Sequence, residues 1–203
     1  MQAASAYRSR WQLCAMHIAM KKDAPVSQAI ARYRNDKRIR DSAKPTLLYR
    51  WTEKSVYHRI LVALDFSEES KQIARLALHA FPDAQFVFLH AFQFSGARHD
   101  TGMALSVKQQ ARKTRLMHLV EELAPTQLTS CVVQYGNPTT VISNYAERMG
   151  ADLIVMGSPR KKSLLKGIVS AGIMQQIIAD TTCDILLATL NGAPAHISSP
   201  HST

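Results

Sequence analysis

A chain of 203 residues with 46% hydrophobic and 20% charged content can bury one substantial core but hardly two, so one domain with appendages is expected. The formal charge of +10 is uneven: residues 1–56 hold 12 Lys/Arg against 4 Asp/Glu and residues 57–203 hold 13 against 11, so the basicity belongs to an N-terminal extension. Cys14, Cys131 and Cys183 stand far apart without ligand spacing, which argues against a zinc site or a disulfide framework and fits a reducing, cytoplasmic setting, and no apolar run reaches the ~18 residues of a membrane span.

The extension, residues 1–56, reads as partly helical or disordered. Residues 1–22 lack acids and carry Arg and Ser, a composition shared with organelle transit peptides, and Met16 and Met20 offer downstream starts. A helix is expected from Pro25 to about Asp41, with Val26, Ile30, Tyr33 and Lys37 on a narrow face among arginines. Thr46–Tyr49 is either a short extra strand or an apolar tether.

From Tyr57 the pattern becomes regular. Five apolar runs, Arg59–Leu64, Gln85–Ala91, Ser130–Tyr135, Asp152–Met156 and Asp184–Leu190, alternate with amphipathic stretches, as in βαβ units with helices on both faces of a parallel sheet. Ser67 caps the first expected helix, whose first turn holds Glu68 and Glu69 where the helix dipole favours acids, and Ile73, Leu76, Ala77 and Ala80 form its buried stripe. Phe92–Ala104 reads as a loop, followed by a helix from about Leu105 to Leu123 with Leu116, Leu119, Val120 and Leu123 inward. The next helix starts near Pro138, buries Val141, Ile142, Tyr145 and Met149, and stops at Gly150. The last runs from about Ala171 to Asp180 behind Ser170. Residues 57–190 thus form one α/β domain, and the polar Pro/Ser-rich residues 191–203 read as a disordered tail.

In such a sheet ligands bind beyond the carboxyl ends of the strands where the strand order reverses. The residues there are Asp65, Phe66 and Ser67, then His90 and Ala91, then Met156, Gly157 and Ser158. His90, inside an apolar strand, reads as a hydrogen-bonded structural histidine. Nucleophile elbows, HxxxH pairs and a Walker ending are absent, and no two carboxylates are placed for acid–base work, so the domain reads as no enzyme.

ILVALDFSEES, FVFLHAF, GNPTTVISNYAERMGADLIVMGS and CDILLATL, in that order, resemble the universal stress protein (UspA-like) family over roughly residues 57–190. Most specific is Gly136, Pro138, Ile142, Ala146 and Asp152 to Ser158. The resemblance implies a five-stranded, Rossmann-like parallel α/β fold related to adenine nucleotide alpha hydrolases, a stress-response role, and a homodimer formed through the last strand, whose Ile185, Leu186, Leu187 and Leu190 make an apolar edge in need of cover. Some members bind ATP and others do not.

ATP-binding members resemble G-x2-G-x9-G-[ST] after the fourth strand, where glycines let backbone N–H groups reach the phosphates. Counted from Gly157, this sequence has Arg160 at the second glycine and Ser170-Ala171 at the final pair; anchored on Leu-Leu-x-Gly, it ends on Gly167-Ile168. Neither register completes the motif. Asp65 matches the nucleotide-contacting aspartate and also suits a turn-organising role; Ala91 matches the position whose backbone receives adenine. The first reading is therefore a non-enzymatic homodimer acting through protein contacts with weak or absent nucleotide binding. In the second, Arg160, Lys161, Lys162 and Lys166 replace glycine-loop donors with charge in an ATP-binding switch. In the third, residues 1–56 tether the protein to RNA or ribosomes, the only route to nucleic acid in the chain.

Overall fold

Runs of β-branched and aromatic residues set the strands from Tyr57 onward, and capped amphipathic segments set the helices between them. The computed structural model describes residues 16–19, 46–49, 57–93, 102–123, 129–157 and 171–188. In chain order the elements are β1 (Met16–Ala19), β2 (Thr46–Tyr49), β3 (Arg59–Ala63), α1 (Glu68–Ala80), β4 (Gln85–Phe92), α2 (Gly102–Leu123), β5 (Thr129–Tyr135), α3 (Pro138–Met149), β6 (Leu153–Gly157), α4 (Ala171–Asp180) and β7 (Asp184–Ala188).

The sheet order is β1-β2-β7-β6-β3-β4-β5. Strands β3 to β7 form the expected all-parallel, Rossmann-like set. The sheet does not stop there. β2 adds to the outer edge of β7 in antiparallel register, Thr46 opposite Leu187, Leu47 opposite Leu186 and Leu48 opposite Ile185, and β1 pairs parallel to β2. Of the two options for Thr46–Tyr49 the strand is therefore correct, whereas β1 had no signal in the sequence. The expected helix Pro25–Asp41 and the tail 191–203 lie outside the described residues.

Side chains of successive strand residues alternate between two cores. Ile60, Val62, Leu64, Phe86, Phe88, Leu153 and Val155 pack with Ile73, Ala74 and Ala77 of α1 and Leu116, Leu119 and Val120 of α2. Leu61, Leu89, Ala91, Ile154, Met156, Ile185 and Leu187 pack with Val141, Ile142 and Ala146 of α3 and Met174, Ile177 and Ile178 of α4. Full burial of each Val, Leu, Ile, Phe or Met side chain among them is worth about 1.5–3 kcal/mol, so the layering of helices on both faces is driven by the strands' own continuous apolar character.

Helix ends follow the sequence closely. The Ser67 side chain accepts from Ser70 N, Asn137 caps α3 by accepting from Thr139 N with Pro138 behind it, and Gly150 closes α3 in the left-handed conformation at φ 60°, which a residue with Cβ adopts at a cost. α2 begins three residues before its expected start, and Phe92 belongs to β4. The amino ends of the strands are fastened by polar contacts. Asp152 Oδ2 accepts from His58 N at 3.1 Å and Arg59 N at 3.0 Å, Arg59 Nη1 donates to Met149 O at 3.1 Å, and Tyr57 OH donates to Asp184 Oδ2 at 3.0 Å.

Candidate functional site

The chain runs β3, β4, β5 to one side of the sheet and then returns to β6 and β7 on the other, so the order reverses between β3 and β6. Their carboxyl ends and that of neighbouring β4 form the crevice where this class of sheet takes ligands. Asp65, Ala91, Met156 and Gly157 all lie there, as expected. Ser158, Arg160 and Ser170 lie outside the described residues, as does the side chain of Ala171, whose backbone opens α4.

Asp65 spends one carboxylate oxygen locally. Its Oδ1 accepts from Ser67 N at 3.0 Å and from Ser67 Oγ, which in turn accepts from Ser70 N at 3.1 Å. This relay ties the end of β3 to the first turn of α1. It forces Phe66, between the two polar residues, to φ 62°, a left-handed conformation that costs a bulky residue about 1 kcal/mol or more.

Phe66 is held there by its ring. Its centroid lies 4.2 Å from that of His90 at a tilt of 46°, and the Arg115 guanidinium sits 4.5 Å above it. The His90 ring runs nearly parallel to Phe92 at 6.2 Å, Arg112 lies 4.4 Å over Phe92, and Phe92 meets Tyr135 edge-on at 5.5 Å. A row of four rings thus crosses the ends of β3, β4 and β5 under two guanidiniums from α2. Each cation–π contact contributes on the order of 0.5–1 kcal/mol. Arg112 and Arg115, three residues apart and so on one helix face, are the positions that reasoning from sequence missed; that spacing was the available signal.

His90 Nδ1 is 2.8 Å from Leu64 O. A carbonyl only accepts, so Nδ1 carries the proton and Nε2 is left as an acceptor. Burial is the main cause that lowers the His90 pKa below its ordinary value; the Leu64 hydrogen bond and Asp65 act upward, and Arg112 and Arg115 add to the lowering. The ring is neutral at physiological pH and its role is to fasten β4 to the end of β3, as a structural histidine does.

Ala91 and Met156 are buried beneath α3 and α4, so at these two positions only backbone faces the crevice. Gly157 has room for more: a Cβ built on it would meet Ile73 Cδ1 at 3.4 Å, an ordinary contact. Nothing within the described residues makes glycine obligatory there. Among the described residues no His/Cys/Asp/Glu group is disposed to hold a metal ion, and no helix is long and apolar enough to cross a membrane.

A model of the universal stress protein family matches residues 56–189. The chain belongs to the universal stress protein family. Among solved structures it is similar to a universal stress protein from Archaeoglobus fulgidus DSM 4304, with 17% identity and a TM-score of 0.51 over 86% of this chain and 60% of that one. It is also similar to a functionally unknown protein from Pseudomonas aeruginosa PAO1, with 15% identity and a TM-score of 0.58 over 92% of this chain and 67% of the other. The chain therefore spans about 60% of the length of the Archaeoglobus protein, and at these identities the likeness shows the fold alone. No curated protein matches. In this universal stress protein the family's match begins at residue 56, so β1 and β2 lie before the matched residues.

Proposed function

We propose that the protein is a non-enzymatic, cytoplasmic stress-response factor that acts through protein contacts, a second copy of itself among them, with weak or absent nucleotide binding. The observation that carries this reading is the engagement of Asp65 with Ser67 N and Oγ, because an oxygen of the carboxylate that would reach for a nucleotide is committed to the turn and cap of its own chain. The loop sequence after β6 supports it. Arg160 and Ser170-Ala171 stand where ATP-binding relatives carry glycine and a Gly-Ser/Thr pair, and a Cβ obstructs the close approach of phosphate to backbone N–H groups.

Equilibrium dialysis of the full chain against ATP and Mg2+ tests the reading. The expected result is no saturation below about millimolar ATP, a gain of no more than ~4 kcal/mol. Stoichiometric binding at micromolar ATP overturns it, and loss of that binding on charge reversal of Arg160 and Lys161 would assign the phosphates to the basic loop instead.

A further inference from the structure

We propose that β2 is a displaceable cover for the outer edge of β7, and that the occupant which replaces it is β7 of a second copy, so that the extension sets the monomer–dimer equilibrium. The inference deepens the protein-contact half of the proposed function and rests on that half alone.

The register carries the argument. Strand β7 reads Asp-Ile-Leu-Leu-Ala and its Ile185, Leu186 and Leu187 are fully buried. On its inner side it pairs with β6 in parallel over five residues, Asp184 to Ala188. On its outer side β2 pairs antiparallel over three, centred on Leu47 opposite Leu186, and this is the one antiparallel pairing among the described strands. A second β7, turned about a two-fold axis through Leu186, would set its own Ile185, Leu186 and Leu187 opposite Leu187, Leu186 and Ile185. β2 sets Thr46, Leu47 and Leu48 at those same places. Two of the three residues are identical in type, so the extension presents to β7 the sequence that β7 would present to itself.

Symmetry and edge chemistry favour this occupant. An antiparallel pair of identical strands is isologous and closes on itself, and an apolar edge with unpaired N–H and C=O groups recruits another strand wherever none is supplied. The opposite edge of the sheet is less suited: β5 reads Thr-Ser-Cys-Val-Val-Gln-Tyr, and Ser130 and Tyr135 on it are exposed. β2 is joined to β3 through residues 50–58, so its local concentration at the β7 edge is of millimolar order. Cover by β2 therefore prevails in dilute protein, and a second copy competes as concentration rises or as the extension is drawn away.

The test is light scattering of the full-length protein from about 1 µM to about 500 µM, alongside hydrogen exchange of the β7 amides. In Leu47→Pro/Leu48→Pro the ring nitrogens cannot donate, so β2 loses an N–H toward each neighbour; dimerisation is expected to tighten at least about tenfold with β7 amides still protected in the dimer. Thr46→Ile makes the β2 triplet identical to that of β7, and dimerisation is expected to weaken severalfold. A folded L47P/L48P protein that stays monomeric, or one whose dimer is no tighter than the unmodified protein's, overturns the proposal. Should L47P/L48P lose its helical circular dichroism, T46I decides: an unmodified chain without a dimer, or a dimer unaffected by T46I, overturns it. ATP dialysis has no bearing on these outcomes, so the two readings fail separately.

Discussion

The His90 imidazole donates from Nδ1 to the carbonyl oxygen of Leu64 at 2.8 Å, and Leu64 N donates back to the strand of His90 through Leu89 O at 2.9 Å. The end of β3 is thereby carried one residue beyond its last ladder pair, which sets the height at which Asp65 and Phe66 leave the sheet. Disturbing that junction has distinct consequences for pH response, strain and capping.

Protonation of His90 is resisted in the fold chiefly because the ring is buried, with Arg112 and Arg115 adding to the effect and the Leu64 hydrogen bond and Asp65 opposing it. Above about pH 6.5 both folded and unfolded chains carry this histidine neutral. Below it the unfolded chain takes up a proton that the folded chain refuses, so stability falls with falling pH until the depressed folded pKa is reached. Thermal unfolding between about pH 7.5 and about pH 5.5 should show this loss, and His90→Asn should flatten the dependence while lowering Tm at neutral pH. An equal slope in both proteins would contradict it.

Phe66 combines a strained backbone with a ring that packs on His90 and beneath Arg115. Phe66→Ala loses the ring contacts and keeps the strain; Phe66→Gly loses the same contacts and releases it. Phe66→Gly should therefore be the more stable of the two by about 1 kcal/mol, the reverse of the usual order for the pair. Urea unfolding of both variants provides the measurement.

Ser67 serves at once as helix cap and as donor to Asp65. Ser67→Ala should cost about 1 kcal/mol, and Asp65→Ala a comparable amount because two donors lose their acceptor. Since the residues share one relay, the double variant should cost less than the two losses added together. Additive losses in denaturant midpoints would show that the relay contributes no coupling.

Asp152 holds the backbone of β3 at its amino end through His58 N and Arg59 N. Asp152→Ala should destabilise the domain by about 1–2 kcal/mol, the contribution of two partly solvated hydrogen bonds to a charged group. Asp152→Asn keeps an acceptor oxygen and should recover about half of it. Amide exchange at Arg59 separates the cases, with faster exchange expected in the alanine variant.

Most of the fold is legible because each core strand is apolar on both faces and each helix has a local start signal. Ser67 with Glu68 and Glu69, Pro138, and Gly150 carry that information within a few residues. The sheet's extension is less legible for a physical reason: Met-His-Ile-Ala at 16–19 has neither alternation nor turn residues to bound it, and its pairing comes from β2, which in turn depends on β7 more than 130 residues away. At the candidate site Asp65 is visible as the residue ending a strand, but whether its carboxylate faces outward or into its own turn is decided by Ser67 Oγ, a choice of rotamer. The arginines of α2 escape notice because at helical spacing they look like any solvated face until a strand end brings Phe66 and Phe92 beneath them.

The bonds of Tyr57 to Asp184 and of His58 and Arg59 to Asp152 have a mechanical consequence. They rivet down the first residues of the domain, just beyond the extension, so tension on the amino terminus peels β1 and β2 away like a zip and then stops at Tyr57. A stretched molecule should lengthen in two stages, an easy release of the leader followed by the abrupt rupture of the body, and what the leader does can change without loosening what it is fastened to.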